Sequence, residues 1–250
     1  MRVRYVHKTL WAVAALAGVL GLAGLVPELA SAQEPSKTSA AFERFRFSFF
    51  EDTDSARQGL DTVALAQLAG EERTRAEDML IRYLPDSRGI IGLGVLRSRR
   101  AEPGLVGLFE AERLAQGASK LRRDSDWLPY RLIFLAKALW QIRPNPRWPA
   151  AVIDVLASAD EPIQRQTAAE ELYDVRDPAT VRALMTALDD PEGLVRHHAA
   201  RGLLAIHGLP VDSDDAAHMT YRVMSDDAAR REGGKRDILA AIAGRPIAAP

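Results

Sequence analysis

Asp177 to Gly208 reads DPATVRALMTALDDPEGLVRHHAARGLLAIHG. Two helices are legible in it. Val181, Leu184, Met185 and Leu188 fall at i, i+3, i+4 and i+7, one apolar face of an amphipathic helix. Ala199, Ala200, Leu203 and Ile206 serve a second helix in the same way. Asp177-Pro178 and Asp190-Pro191 each place an N-cap acceptor before a proline at the expected first helical position, where the missing N–H costs nothing. Gly208 stands where a left-handed C-cap would close the second helix.

The same writing recurs upstream. LAKALWQIR (135–143), AAEELYDVR (168–176) and AARGLLAIH (199–207) start 33 and 31 residues apart. Leu139, Leu172 and Leu203 match, as do Ile142, Val175 and Ile206. PAAVIDVLASAD (149–160) repeats the first helix, with Val152, Val155, Leu156 and Ala159 on its face. A period of this length, with a helix pair in each copy, predicts units that cannot bury their own apolar faces and stack to do so. Weaker copies flank the centre: 92–100 with 103–109, the degenerate 61–84, 215–227, and a closing helix over 235–244.

The second helix of the quoted stretch resembles the HEAT-like repeat of the phycobilisome-lyase type, pattern D-P-x-x-x-V-R-x-x-A-A-x-x-L. Asp190, Pro191, Val195, Arg196, Ala199, Ala200 and Leu203 match it position by position. DEPIQRQTAAEEL (160–172) is one residue shorter and has Gln164 for the valine, but keeps Arg165, Ala168, Ala169 and Leu172. The likeness is strong over about 129–208, partial over 86–115, and poor before 85 and after 211. It implies an all-α fold, a right-handed α-solenoid of about four to six antiparallel helix pairs whose second helices line a concave side and bind protein partners. It does not imply lyase activity, because fold alone does not fix function.

The N-terminus carries a different signal. Arg2, Arg4 and Lys8 precede an uncharged run of 17 residues, Leu10 to Val26, then Pro27 and the small residues Ala30-Ser31-Ala32. This is the layout of a secretory signal, with cleavage expected after Ala32 and delivery to the periplasm or the outside of the cell. The run is short and Gly/Ala-rich for a membrane span of about 20 apolar residues, so stable insertion is not expected once the signal is cut. The resulting organisation is a signal over 1–32, a disordered leader over 33–40, and an N-terminal helical cap with a degenerate repeat over 41–85. HEAT-like repeats follow over 86–226, and a capping helix and tail over 227–250.

Composition removes several function classes. Removing 1–32 leaves 30 basic against 33 acidic side chains, no field to draw nucleic acid. There are no cysteines, hence no disulfide, thiol nucleophile or thiolate metal site. His197 and His198 are neighbours, so on a helix they point about 100° apart. No His-Glu dipeptide is present, which breaks the analogy with the iron-binding HEAT-like hydroxylases, and no cofactor or metal is expected. Asp212, Asp214, Asp215, Asp226 and Asp227 suit helix caps and do not fit a calcium loop. Gly233-Gly234-Lys235 lacks the rest of a phosphate-binding loop, and no nucleophile elbow is present. No catalytic residue is predicted.

Two aromatic clusters read as core. Phe42, Phe45 and Phe49 share a helical face at i, i+3 and i+7, a cap for the first repeat, and Trp127, Tyr130, Trp140 and Trp148 surround one helix pair. Arg165 and Arg196 are expected to pair with acidic caps of neighbouring repeats. The repeat register then predicts the partner-binding stripe: Ile133, Phe134 and Lys137, then Gln166, Thr167 and Glu170, then His197, His198 and Arg201. The preferred role is an exported scaffold or adaptor for a protein partner. A self-assembling envelope component and an enzyme without a recognisable site are the alternatives.

Overall fold

Every regular element in the described residues is helical, as the absence of β-branched runs and the helical periodicity require. A computed structural model describes residues 38–52, 59–119 and 128–248 of the chain. These fall in the unit Thr38–Pro250, and the preceding unit, Met1–Lys37, lies outside them. The signal over 1–32, most of the leader, and Trp127 are therefore outside the described residues.

α1 (Ala40–Arg46) continues into a π-helical turn (Phe47–Glu51) and is followed by α2 (Thr62–Ala66), α3 (Gly70–Arg82), α4 (Ser87–Val95) and α5 (Glu102–Ser119). Then come α6 (Leu128–Ile142), α7 (Arg147–Ser158), α8 (Pro162–Glu171) and α9 (Pro178–Ala187). α10 (Gly193–Ile206), α11 (Asp214–Met224) and α12 (Ala228–Ile242) complete the set. Ser39 and Ala40, read above as the end of a leader, instead start α1. The Ser39 hydroxyl accepts from the Phe42 amide, and Glu72 on α3 takes the Ser39 N–H and O–H at 2.7 and 2.6 Å. Phe42, Phe45 and Phe49 are buried as a ring-on-ring cluster with centroids 5.0–5.7 Å apart, sealing the first unit.

From α3 onward, consecutive helices form five pairs among the described residues: α3/α4, α5/α6, α7/α8, α9/α10 and α11/α12. The even-numbered helices α4, α6, α8, α10 and α12 each pack on the next in one layer. Odd-numbered helices form the other layer. There α7 and α9 touch, while α5 reaches α7 through side chains, with the Phe109 and Trp148 rings edge-on at 5.0 Å. The even layer is the more closely packed of the two, which puts it on the inner side of any bend. Leu139, Leu172, Leu203, Ile142, Val175 and Ile206 all lie in one continuous core, so the period marks the seams between units.

The helix ends show how local chemistry fixes the joints. Asp177 caps α9 as expected, accepting from the Ala179 amide at 2.8 Å, with Pro178 in the first helical position. Asp190 does not cap α10, which begins at Gly193. Its carboxylate instead takes the Glu192 amide and the Arg165 guanidinium, and that ion pair pulls the loop away from cap geometry. Gly208 closes α10 at φ 71°, with the Leu209 and Gly208 amides bonded back to Leu204 and Ala205 at 2.9 and 3.0 Å. The same double closure ends α4, but there the left-handed residue is Arg97, at φ 49°. The closing helix starts at Ala228 on its Asp227 cap, earlier than the sequence suggested, so Gly233 and Gly234 are mid-helix. A Cβ on Gly234 would stand 2.6 Å from the Val223 amide nitrogen, which is why a residue without one is needed where α12 closes on α11.

Candidate functional site

The face of the even layer is built on a repeated fastening. Arg165 in the first turns of α8 donates to the carbonyls of Ala159 and Asp160 in its own loop and forks onto the Asp190 carboxylate of the next, at 2.8 and 3.0 Å. Thirty-one residues on, Arg196 repeats the backward grip on Asp190 and Pro191. Forward, it donates to Val223, Met224 and Ser225. These bonds occupy all five N–H groups of a guanidinium that is 2% exposed. The acidic partner expected of Arg196 is a minor one, since Asp226 is 3.8 Å away and solvent-exposed. Both arginines are committed to holding successive units in register.

That register decides what the predicted stripe becomes. Ile133 is corrected: it is fully buried, because α6 packs against α4, α5, α7 and α8 at once, and Leu132 stands where α8 and α10 have the arginine. Phe134, half-buried, lines a recess of about 410 Å³ with Tyr130, Arg131 and Pro85 to Ser87. Lys137 is spent locally, donating to the Glu171 carbonyl at 2.9 Å and pairing with Asp174. Thr167 bonds back to the Ile163 carbonyl within its own helix.

The remaining positions converge. Gln166 Nε2 lies 3.4 Å from His198 Nε2, and Glu170, Tyr173, His198 and Arg201 line a recess of about 260 Å³ between α8 and α10. Arg201 is held by Asp212 at 3.2 Å. The rings of His197 and His198 stand at 89° to each other, and His197 faces Tyr221 on α11 at 6.1 Å. Burial lowers the affinity of both imidazoles for a proton. For His197 the charges of His198 and Arg201 act in the same direction; for His198 the Glu170 carboxylate opposes and Arg201 assists. Burial also raises Glu171, against the pull of Lys137.

Sequence reasoning missed Tyr173 and Tyr221, both exposed. Tyr173 occupies the place of Trp140 and Leu204 in the matched helices, and its exposure comes from its position beyond the last turn of α8, which the period alone does not show. The aromatic readings upstream hold for the core: Trp148 is buried, its indole N–H donating to the Arg143 carbonyl at 3.2 Å, with the Arg147 guanidinium 4.1 Å over its ring. Trp140 and Tyr130 are half-buried. Among the described residues no group of three His, Asp or Glu side chains is placed to hold a metal ion, and no helix is long and apolar enough to cross a membrane.

Stacked helix pairs with one continuous core, a shared register and a closely packed even layer define an α-solenoid. Residues 120–233 match the model of the HEAT repeats. Over that stretch the chain carries HEAT-like repeats, and repeats of this family generally mediate protein–protein interaction and scaffolding. No curated protein and no solved structure gave a significant match.

Proposed function

We propose that the protein is an exported, non-catalytic scaffold of the phycobilisome-lyase-like HEAT type that holds a protein partner on the face of its even-numbered helices. The observation that carries the reading is the recess between α8 and α10. There Gln166 and Glu170 of one repeat meet His198 and Arg201 of the next, together with Tyr173, at a surface whose underlying arginines are already consumed. Such a set offers donors, acceptors, both charges and a tyrosine, the composition of a protein-recognition surface. The signal-like segment over 1–32 supports export to the periplasm or beyond.

The test is affinity capture from envelope extracts with the full chain and with Tyr173→Ala combined with Arg201→Glu. Loss of the same co-purified protein from the variant, with thermal stability unchanged, is the expected result. Equal recovery of that protein by both forms refutes the assignment of this face. Export is checked separately by fractionation and the mass of the recovered chain, which should begin at Gln33.

A further inference from the structure

We infer that the partner held on the even-helix face presents an extended segment in which apolar side chains stand three residues apart with lysine or arginine between them. This inference rests on the scaffold reading and names the chemistry of what is held. Its basis is a row of exposed apolar side chains at the N-terminal ends of the even helices. Ile163 on α8 is 51% exposed and Leu194 on α10 is 44% exposed, and they are separated by 31 residues, the same spacing as Arg165 and Arg196. The position one repeat earlier, on α6, is the half-buried Tyr130.

Each of these residues begins the outward face of its helix. Ile163, Gln166, Thr167 and Glu170 fall at i, i+3, i+4 and i+7, as do Leu194, His197, His198 and Arg201. The apolar row is therefore one end of the face already described, and packing against the neighbouring units leaves it uncovered. Isolated exposed leucines need no explanation, but the same exposure at the same repeat position marks a line.

Charge identifies what that line fits. Glu161 and Glu192 precede the two apolar residues by two positions each, again 31 apart. Both stand at the N-cap of their helix, yet neither side chain makes a cap bond, so no cap amide occupies their carboxylates, although Glu192 also favours the charge of Arg165. Asp160 is exposed on the loop of Glu161 and Asp226 on the next such loop beyond that of Glu192, while of the nearby cations Arg165 and Arg196, 13% and 2% exposed, are held in the joints. Arg230 and Arg231 at the start of α12 offset part of this charge at the far end only. The rim beside the apolar row is thus acidic where the row is exposed. Spacing gives the rest: packed helices are roughly 8–10 Å apart, and three residues of a segment extended in the polyproline II conformation make one turn, advance about 9 Å and bring every third side chain back to the same face. A segment crossing the helices can seat one apolar side chain on Ile163 and the next on Leu194, with cations between them over Glu161 and Glu192.

The experiment uses the full chain and a fluorescein-labelled peptide of about ten residues, leucine at every third position and lysine elsewhere, followed by anisotropy. A glutamate-for-lysine peptide and a serine-for-leucine peptide are the comparisons. The lysine–leucine peptide should bind, and should weaken as salt is raised. Each double variant, Ile163→Ser with Leu194→Ser and Glu161→Lys with Glu192→Lys, should weaken it by about tenfold. Glu161, Ile163 and Leu194 are exposed and Glu192 half-buried, neither glutamate makes a cap bond, and unchanged circular dichroism verifies the fold. Affinity within about twofold of the parent in both variants, or equal binding of the glutamate peptide, overturns the inference. Capture of a partner that depends on Tyr173 and Arg201 but is indifferent to these two variants would overturn it while leaving the scaffold reading intact.

Discussion

Replacing Arg196 by methionine tests how the units are joined. The side chain is almost isosteric along its stem, but it removes five donors from five carbonyls, those of Asp190, Pro191, Val223, Met224 and Ser225. Hydrogen bonds to a charged group contribute about 1.5–3 kcal/mol each, and an abandoned buried acceptor costs about 1–3 kcal/mol. The loop carbonyls nearer solvent recover water, and burying a guanidinium has its own desolvation cost. A net loss of about 3–5 kcal/mol follows. For a unit of this size that lowers Tm by roughly 6–20 °C, measured by circular dichroism at 222 nm. The loss should also be local: in a stack where each unit touches only its neighbours, hydrogen exchange should accelerate in α11 and α12 before α4 to α8. Arg182→Met, at an exposed site on α9, is the control. If Arg196→Met costs less than about 1 kcal/mol, or no more than Arg182→Met, the fastening assigned to Arg196 is wrong.

Two further outcomes follow from particular sites. Arg97→Gly should stabilise the protein by about 0.5–1 kcal/mol in urea unfolding, because Arg97 holds a left-handed backbone that glycine adopts without strain; a destabilised variant would refute this. His197 and His198 have proton affinities lowered by burial, so the unfolded chain binds more protons than the folded one as pH falls below their ordinary value of 6.5. Their contribution is intact above that value and is lost on acidification through their folded values. Glu112 and Glu171, raised by burial, act with the opposite sign. Subtraction therefore isolates the histidines: the fall in Tm between pH 7.5 and 5 should shrink in the His197→Gln, His198→Gln protein, and an unchanged fall would refute it.

The repeat was legible because its signals are local and redundant. The Leu139, Leu172 and Leu203 positions, the Asp177-Pro178 cap and the Gly208 stop each report on one helix, and the structure places all of them as the period requires. What was not legible depended on competition between partners. Asp190 carries a cap signature, but Arg165, 25 residues away, outcompetes the helix for its carboxylate. Ile133 stood in a surface register taken from α8 and α10, yet α6 has Leu132 in place of the arginine and neighbours on four sides, so that register does not transfer. Lys137 occupies its predicted position with its charge already taken by Asp174. In the candidate site, Gln166, Glu170, His198 and Arg201 were placed by the register, whereas Tyr173 and the exposed pair Ile163 and Leu194 were visible only once helix ends were fixed in space.

The grip of Arg196 falls on main-chain oxygens, which every amino acid supplies alike. The loop from Val223 to Ser225 can therefore change its side chains over generations while the joint beneath it goes on holding, a freedom that Asp190, whose carboxylate holds Arg165, does not have.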